Sequence, residues 1–265
     1  MKMMTIASGS SGNCTFVGTD KTSILVDAGV SKKKIENGLN KIELTLKDMD
    51  GILITHEHID HVRAVGVISR NVGIPIYATP ETCCEISGMS ALGDFDKSLL
   101  NPINVDELFN IGDIGVKAHS IWHDAVDPVC YSLYGDNKKI SIATDMGDYD
   151  DYLIEALKDS DGLLVEANHD IRMLECGNYP YPLKQRILGK RGHLSNEAGG
   201  RLLNSLLNDH VKVSFIGHLS RENNYPELAY ETVKLEISDN PYTEDVRDFN
   251  LHVADREQAS DLFIL

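Results

Sequence analysis

Three histidines and an aspartate fall within six residues: His56, His58, Asp60 and His61, in the order His-x-His-x-Asp-His. Imidazole and carboxylate are the side chains that hold zinc, manganese or iron. The cluster follows an apolar run, Gly51 to Ile54, that reads as a short buried strand. A turn at the end of that strand lets all four side chains converge on one volume, whereas a solvated polar loop has no need of this density of ligand types. A helix expected over Val62 to Asn71 would aim its N-terminus at the cluster and favour anions there. On so short a tether, Asp60 and His61 cannot easily share one tetrahedral ion with His56 and His58. The spacing therefore predicts two divalent ions roughly 3.5–4 Å apart, the arrangement that polarises a phosphoryl or acyl group and activates water.

Two ions need further donors, and these should stand at other strand ends. His123 follows a short strand-like segment, Asp145 ends an apolar strand, and His218 ends another. In this reading His56, His58 and His123 complete the first ion, and Asp60, His61 and His218 the second. Asp145 bridges them, because one carboxylate has two oxygens. His119 competes with His123, but its neighbours read as strand interior. His169, His210 and His252 read as ordinary exposed or hydrogen-bonded histidines, and Asp27 as a carboxylate that orients a ligand histidine.

The elements that must position these residues read as strands followed by helices, twice over. Strands are expected at Lys2 to Ala7, Thr15 to Val17, Ser23 to Val26, Ile74 to Ala78, near Asn104 to Phe109, and at Gly115 to Ser120, Val129 to Tyr134, Lys139 to Thr144, Gly162 to Glu166, Val211 to Ile216 and Phe249 to Val253. Helices are expected at Lys32 to Asn40 behind an N-cap at Ser31, from Pro80 to about Ile86, and at Tyr149 to Ser160, Leu183 to Leu188, Ser195 to Asn208 and Pro226 to Asp239, with a helical turn at Asp170 to Cys176. The loop Ser8 to Asn13, with two glycines and several hydroxyls, reads as a tight turn or a small anion nest. The strand Ser23 to Val26, ending Asp27-Ala28-Gly29, is echoed by Ile140 to Thr144, ending Asp145-Met146-Gly147. The pattern predicts two similar β-then-α halves packed sheet to sheet. Nothing reads as a linker, so residues 1–265 are expected to form one domain.

Apolar residues make up 42% of the 265, enough for a substantial core. No segment has the order of a signal peptide, and no apolar run approaches the ~20 residues of a membrane span. The five cysteines are odd in number and lack C-x-x-C spacing, which predicts reduced thiols, a cytoplasmic setting and, for Cys83-Cys84, buried helix surface rather than a reactive pair. A net charge of −16 rules out binding nucleic acid through the general field, so such a role needs a local basic patch. One is present: Lys184, Arg186, Lys190 and Arg191 lie within eight residues, just before His193. Ser195 would cap the next helix and leave its N–H groups ready for an oxyanion. Together these make a candidate phosphodiester clamp. In it Asp60 would steer the attacking water, and His193 would stabilise the phosphoryl oxygens or protonate the leaving oxygen.

The His-x-His-x-Asp-His cluster with the later His123, Asp145 and His218 resembles the metallo-β-lactamase superfamily in order and rough spacing. Ser8 to Asn13, Trp122 to Pro128, Gly192 to Asn196 and His218 to Asn224 resemble the bacterial YycJ/WalJ-like branch. Gly192-His193-Leu194-Ser195 is also similar to the loop of tRNA 3′-processing nucleases whose histidine contacts the scissile phosphate. The resemblance implies a four-layered αβ/βα sandwich of the α/β class with metals at one sheet edge. It also implies a hydrolase and, for the branch, a 5′-to-3′ exonuclease acting on DNA rather than RNA. The side-chain types suit zinc or manganese, and iron as well. Two alternatives stay open on the residues alone: a thioester or lactam hydrolase on the same site, and a metal-binding regulatory module without catalysis.

Overall fold

The computed structural model describes residues 1–243 and 250–265. The first half of the chain supplies β1 (Lys2–Ala7), β2 (Cys14–Gly18), β3 (Ser23–Val26), α1 (Lys32–Asn40), β4 (Gly51–Leu53), α2 (Ile59–Val62), α3 (Val65–Asn71), β5 (Ile76–Ala78), α4 (Pro80–Gly88) and β6 (Leu100–Pro102). The second supplies β7 (Leu108–Ile111), β8 (Ile114–Ser120), β9 (Val129–Gly135), β10 (Lys138–Ala143), α5 (Asp151–Leu157), β11 (Gly162–Glu166), α6 (Ile171–Cys176), α7 (Tyr181–Leu188), α8 (Asn196–Leu206), β12 (Val213–Gly217), α9 (Pro226–Glu236) and β13 (Leu251–Val253). A short β14 (Phe263–Ile264) returns to pair with β1. Two seven-stranded sheets result, ordered β14-β1-β2-β3-β4-β5-β6 and β13-β12-β11-β10-β9-β8-β7. Each opens with antiparallel strands and then turns parallel, β3 to β6 in one and β10 to β13 in the other.

The period-2 alternation of β3 shows how the layers are held. Leu25 enters an apolar cluster between the first sheet and its helices, with Ile35, Leu39 and Ile68. Ile24 and Val26 face the other way, into a cluster between the sheets with Val116, Leu133 and Phe215. A third cluster joins the second sheet to α5, α8 and α9 through Leu163, Val165, Leu203 and Val233. The result is the four-layered αβ/βα sandwich.

The departures from the sequence reading have physical causes. Helix formation begins inside the ligand cluster, at Ile59, and breaks at Ala64, whose amide donates across to Ala28 O at 2.8 Å instead of along the helix. The strand expected near Asn104 to Phe109 starts later, as β7 at Leu108; the chain before it crosses between the sheets with a single bridge, Val105 to Ala118. Cys83 is buried but Cys84 is exposed. In the expected strand from Phe249, that residue lies outside the described ones. No helix among the described residues is long and apolar enough to cross a membrane.

Candidate metal centre

The carboxyl ends of the parallel strands in both sheets open on one edge, where ligands of α/β sheets collect. Asp27 leaves β3, Asp145 follows β10, Glu166 ends β11 and His218 leaves β12. Asp27, Asp145 and His218 have φ of 63°, 60° and 56°. This left-handed conformation costs a non-glycine residue about 1–2 kcal/mol, and it turns each side chain sharply off its strand. The Asp27/Asp145 echo in the sequence is thus a repeated backbone device.

The cluster after β4 is clamped from two sides. Asn13 N donates to Asp60 O at 2.8 Å, and Ala28 N to His61 O at 2.8 Å. Gly29 packs so closely that a Cβ there would lie 1.5 Å from Asp60 O. The Ser8 to Asn13 loop is therefore a brace: Ser8 Oγ accepts from His218 N at 2.8 Å, and Asn13 Oδ1 accepts from Gly9 N at 2.9 Å.

Thr55 links the histidines to Asp27. Its backbone N–H donates to Asp27 Oδ1 at 2.9 Å, and its hydroxyl lies 3.0 Å from His56 Nδ1. His61 Nδ1 meets Asp27 Oδ2 at 2.7 Å, and His123 Nδ1 lies 3.1 Å from Gly192 O. Three rings thus spend Nδ1 on the protein and turn Nε2 inward, the tautomer a metal-binding imidazole needs. The inward atoms crowd together. His123 Nε2 is 3.3 Å from His58 Nδ1, His61 Nε2 is 3.2 Å from Asp145 Oδ2, and His218 Nδ1 is 2.7 Å from the same oxygen. Yet His56 Nε2, Asp145 Oδ2 and His218 Nδ1 are buried without a properly oriented hydrogen-bond partner. Buried polar atoms are seldom left so; lone pairs aimed at a shared cation account for it. Donor atoms lie within 4.8 Å of one another in three groups: His56, His58 and His123; His56, His61 and Asp145; and Asp145, Glu166, His193 and His218. Asp60 stands slightly back, 3.7 Å from His61 and 4.0 Å from His218.

The electrostatics agree with a cation site. Burial, aided by the neighbouring His61, holds His56 well below the usual imidazole range, and burial lowers His123 as well, so both stay neutral and able to ligate. Burial opposes charge on His61, but Asp27 and then Asp145 overcome it and raise the imidazole well above its ordinary value. Burial likewise opposes charge on Asp145, but His218 and His61 hold its carboxyl well below the usual range. The site binds divalent metal; its residues fit one in number, type and direction.

Glu166, given no role by the sequence reading, is fully buried beside His193. Its oxygens accept from His193 Nδ1 at 2.8 Å, Met146 N at 2.8 Å and Leu194 N at 3.3 Å. With those bonds made, it serves His193 rather than an ion. Burial opposes protonation of His193, but Glu166 outweighs it and the imidazole titrates at about 9. The strand-end signal that selected Asp145 and His218 also marks Glu166.

Among the clamp candidates, Arg186 pairs with Asp124 at the mouth, and Lys184 Nζ donates to Glu175 O at 2.7 Å. Lys190 lies 3.7 Å from Asp148, and Arg191 is exposed with no ion pair among the described residues. Ser195 does cap α8, but its hydroxyl is taken by Ala198 N and Asn196 N donates to His169 O, so those groups are not free for an oxyanion. His119 sits apart, between Asp106 and Ser132. His169 corrects the expectation made for it: it is buried, and neither ring nitrogen has a partner among the described residues. His210 is half-buried beside Asp209, as an ordinary hydrogen-bonded histidine.

The family model described as the metallo-beta-lactamase superfamily matches residues 7–218. An exodeoxyribonuclease WalJ of Streptococcus pneumoniae is 41% identical over 232 residues, 88% of this chain and 86% of that protein. An exodeoxyribonuclease YycJ of Bacillus anthracis is 36% identical over 228 residues, 86% of each. Among solved structures, the metallo-beta-lactamase fold protein YhfI of Bacillus subtilis superposes with a TM-score of 0.71 at 16% identity, over 98% of both chains.

Proposed function

Because the chain belongs to the metallo-β-lactamase superfamily, we propose that its metal centre drives hydrolysis of phosphodiester bonds and that the protein is an exodeoxyribonuclease. The observation that carries this reading is the His193–Glu166 pair set against the ligand cluster, with His193 Nδ1 3.8 Å from Asp145 Oδ1. Relatives named exodeoxyribonucleases cover most of the chain, which supports DNA ahead of RNA.

His56, His58 and His123 would hold one ion, and Asp60, His61 and His218 a second, with Asp145 shared. Zinc and manganese suit the set, and iron is admitted by the same donors. When bound, the pair supplies Lewis acidity and an activated water. The chain's own residues do the rest. Glu166 fixes the ring of His193 and favours its protonated form. That leaves Nε2–H free to donate to a phosphoryl oxygen and then to the departing oxygen. Asp60, 3.7 Å from His61 and 4.0 Å from His218, would also orient the attacking water. Asp27 and Thr55 hold the tautomers of His56 and His61 and touch no substrate.

The test is direct. Purified protein, with metal content measured, is incubated with 5′- and 3′-labelled DNA, matched RNA, a small phosphodiester and a thioester, with Zn²⁺ or Mn²⁺. Release of mononucleotides from DNA supports the reading. Turnover of the thioester alone, or of nothing by metal-loaded protein, refutes it.

A further inference from the structure

His218 reaches the ligand cluster from a left-handed backbone, φ 56°, and the turn it begins is held by segments distant in sequence. His218 N donates to Ser8 Oγ at 2.8 Å, Asn168 Nδ2 donates to His218 O at 2.8 Å, and Ser220 N donates to Asn168 O at 2.7 Å. The next two carbonyls, of Leu219 and Ser220, both accept from Arg256: Nε donates to Leu219 O at 3.2 Å and Nη2 to Ser220 O. This arginine arrives from the segment after β13, which is tied to the same brace. Ser8 N donates to Asp255 O at 3.0 Å, and a Cβ on Gly9 would lie 2.8 Å from Arg256 Cγ. Lys34 of α1 fastens the segment from the other side, donating to Arg256 O and pairing with Glu257 at 2.9 Å. Residues 8–9, 218–220 and 255–256 thus form a closed ring of contacts, which the guanidinium completes. The residues matched by the superfamily model end at 218, so Arg256 lies beyond them.

We propose that Arg256 is a positioning residue for His218: its guanidinium locks the turn 218–220 and so sets the affinity of the second metal ion. The inference rests on the two-ion assignment above. A strained conformation persists only where its surroundings over-determine it. A planar guanidinium suits that task, because its rigid fork spans two successive carbonyls at little further cost in side-chain freedom. Leu219 and Ser220 are buried, so removing the fork strips their carbonyls of a charge-assisted partner and lets the turn relax. The brace that Arg256 packs on also carries Asn13, whose N–H holds Asp60 O at 2.8 Å. Its influence therefore falls on the ion assigned to Asp60, His61 and His218. His56 and His123, ligands of the other ion, are held by Thr55 and by Gly192 O instead.

The experiment titrates metal-free wild type, Arg256→Ala, Arg256→Lys and Ser260→Ala with Co²⁺. The visible spectrum is read at each addition, chelator competition gives both affinities, and urea unfolding gives stability. Ser260 is the control: it lies on the same segment and its Oγ accepts from Thr5 N at 3.1 Å, away from the guanidinium. Arg256→Ala should keep the affinity and bands of the first ion and bind the second about 10- to 100-fold more weakly. Arg256→Lys should recover part of that loss, and it carries the same comparison where Arg256→Ala does not fold. Ser260→Ala should lose stability alone. Equal weakening of both ions, the same loss of metal in Ser260→Ala, or wild-type affinities in Arg256→Ala overturn the positioning role alone. Wild-type protein that binds fewer than two ions overturns the two-ion assignment and the inference with it.

Discussion

Replacing Glu166 by glutamine asks whether His193 works as an acid. Glu166→Gln keeps an oxygen toward the amides of Met146 and Leu194 but removes the charge that offsets the burial of His193. In the wild-type protein His193 titrates at about 9. Without the carboxylate, burial is opposed only by Asp145 and Asp60, and the imidazole moves down toward its ordinary value of roughly 6.5. At pH 8 the acid form is then about 90% populated in wild type and about 3% in the variant, a roughly 30-fold difference, while at pH 5.5 both are about fully protonated. The ratio of the two rates across pH is the quantity to read. The assay is kcat/KM on labelled DNA from pH 5.5 to 9, with metal content measured at each point. A ratio near one at low pH that falls by about an order of magnitude or more toward pH 8 supports the acid role. A ratio that stays flat refutes it, because a purely structural Glu166 would cost the same at every pH. Stability follows the same linkage: the folded value is the raised one, so the pair's contribution is complete below about pH 6.5 and is lost as pH rises through about 9.

Asp27→Asn should weaken metal binding about 10- to 100-fold through the tautomer of His61, and titration with a chelator will measure it. Gly29→Ala must push the turn that carries Asp60 aside, so it should destabilise the fold by about 1–3 kcal/mol or more and lower metal occupancy, checked by denaturant unfolding and metal analysis. Arg191→Ala should weaken binding to all DNA sequences alike and make the salt dependence of log K shallower by about one unit, provided that exposed guanidinium meets a phosphate.

The sequence carried the fold well where local rules and packing agree. Ser31 caps α1 and accepts from Lys34 N, with the helix limits expected from the pattern. The ligand candidates converge because each stands at the end of a strand whose apolar run was visible. Legibility failed where a distant partner decides the matter. Ala64 abandons helical bonding for Ala28, and β14 is too short to declare itself without β1. Glu166 is not legible as a site residue because a carboxylate ending an apolar strand reads as no more than the strand's limit. Ser195 illustrates the converse: its capping role was legible, but not that His169 O and its own hydroxyl would occupy the donors it was meant to leave free.

Asp27, Asp145 and His218 each hold a backbone conformation that glycine tolerates better. Selection for thermal resilience alone would erode these positions: a glycine at 145 relieves the chain and silences the centre together. Engineering campaigns that rank variants of this protein by melting temperature without cation present would therefore reward the loss of its chemistry, and any such screen should score occupancy alongside heat tolerance.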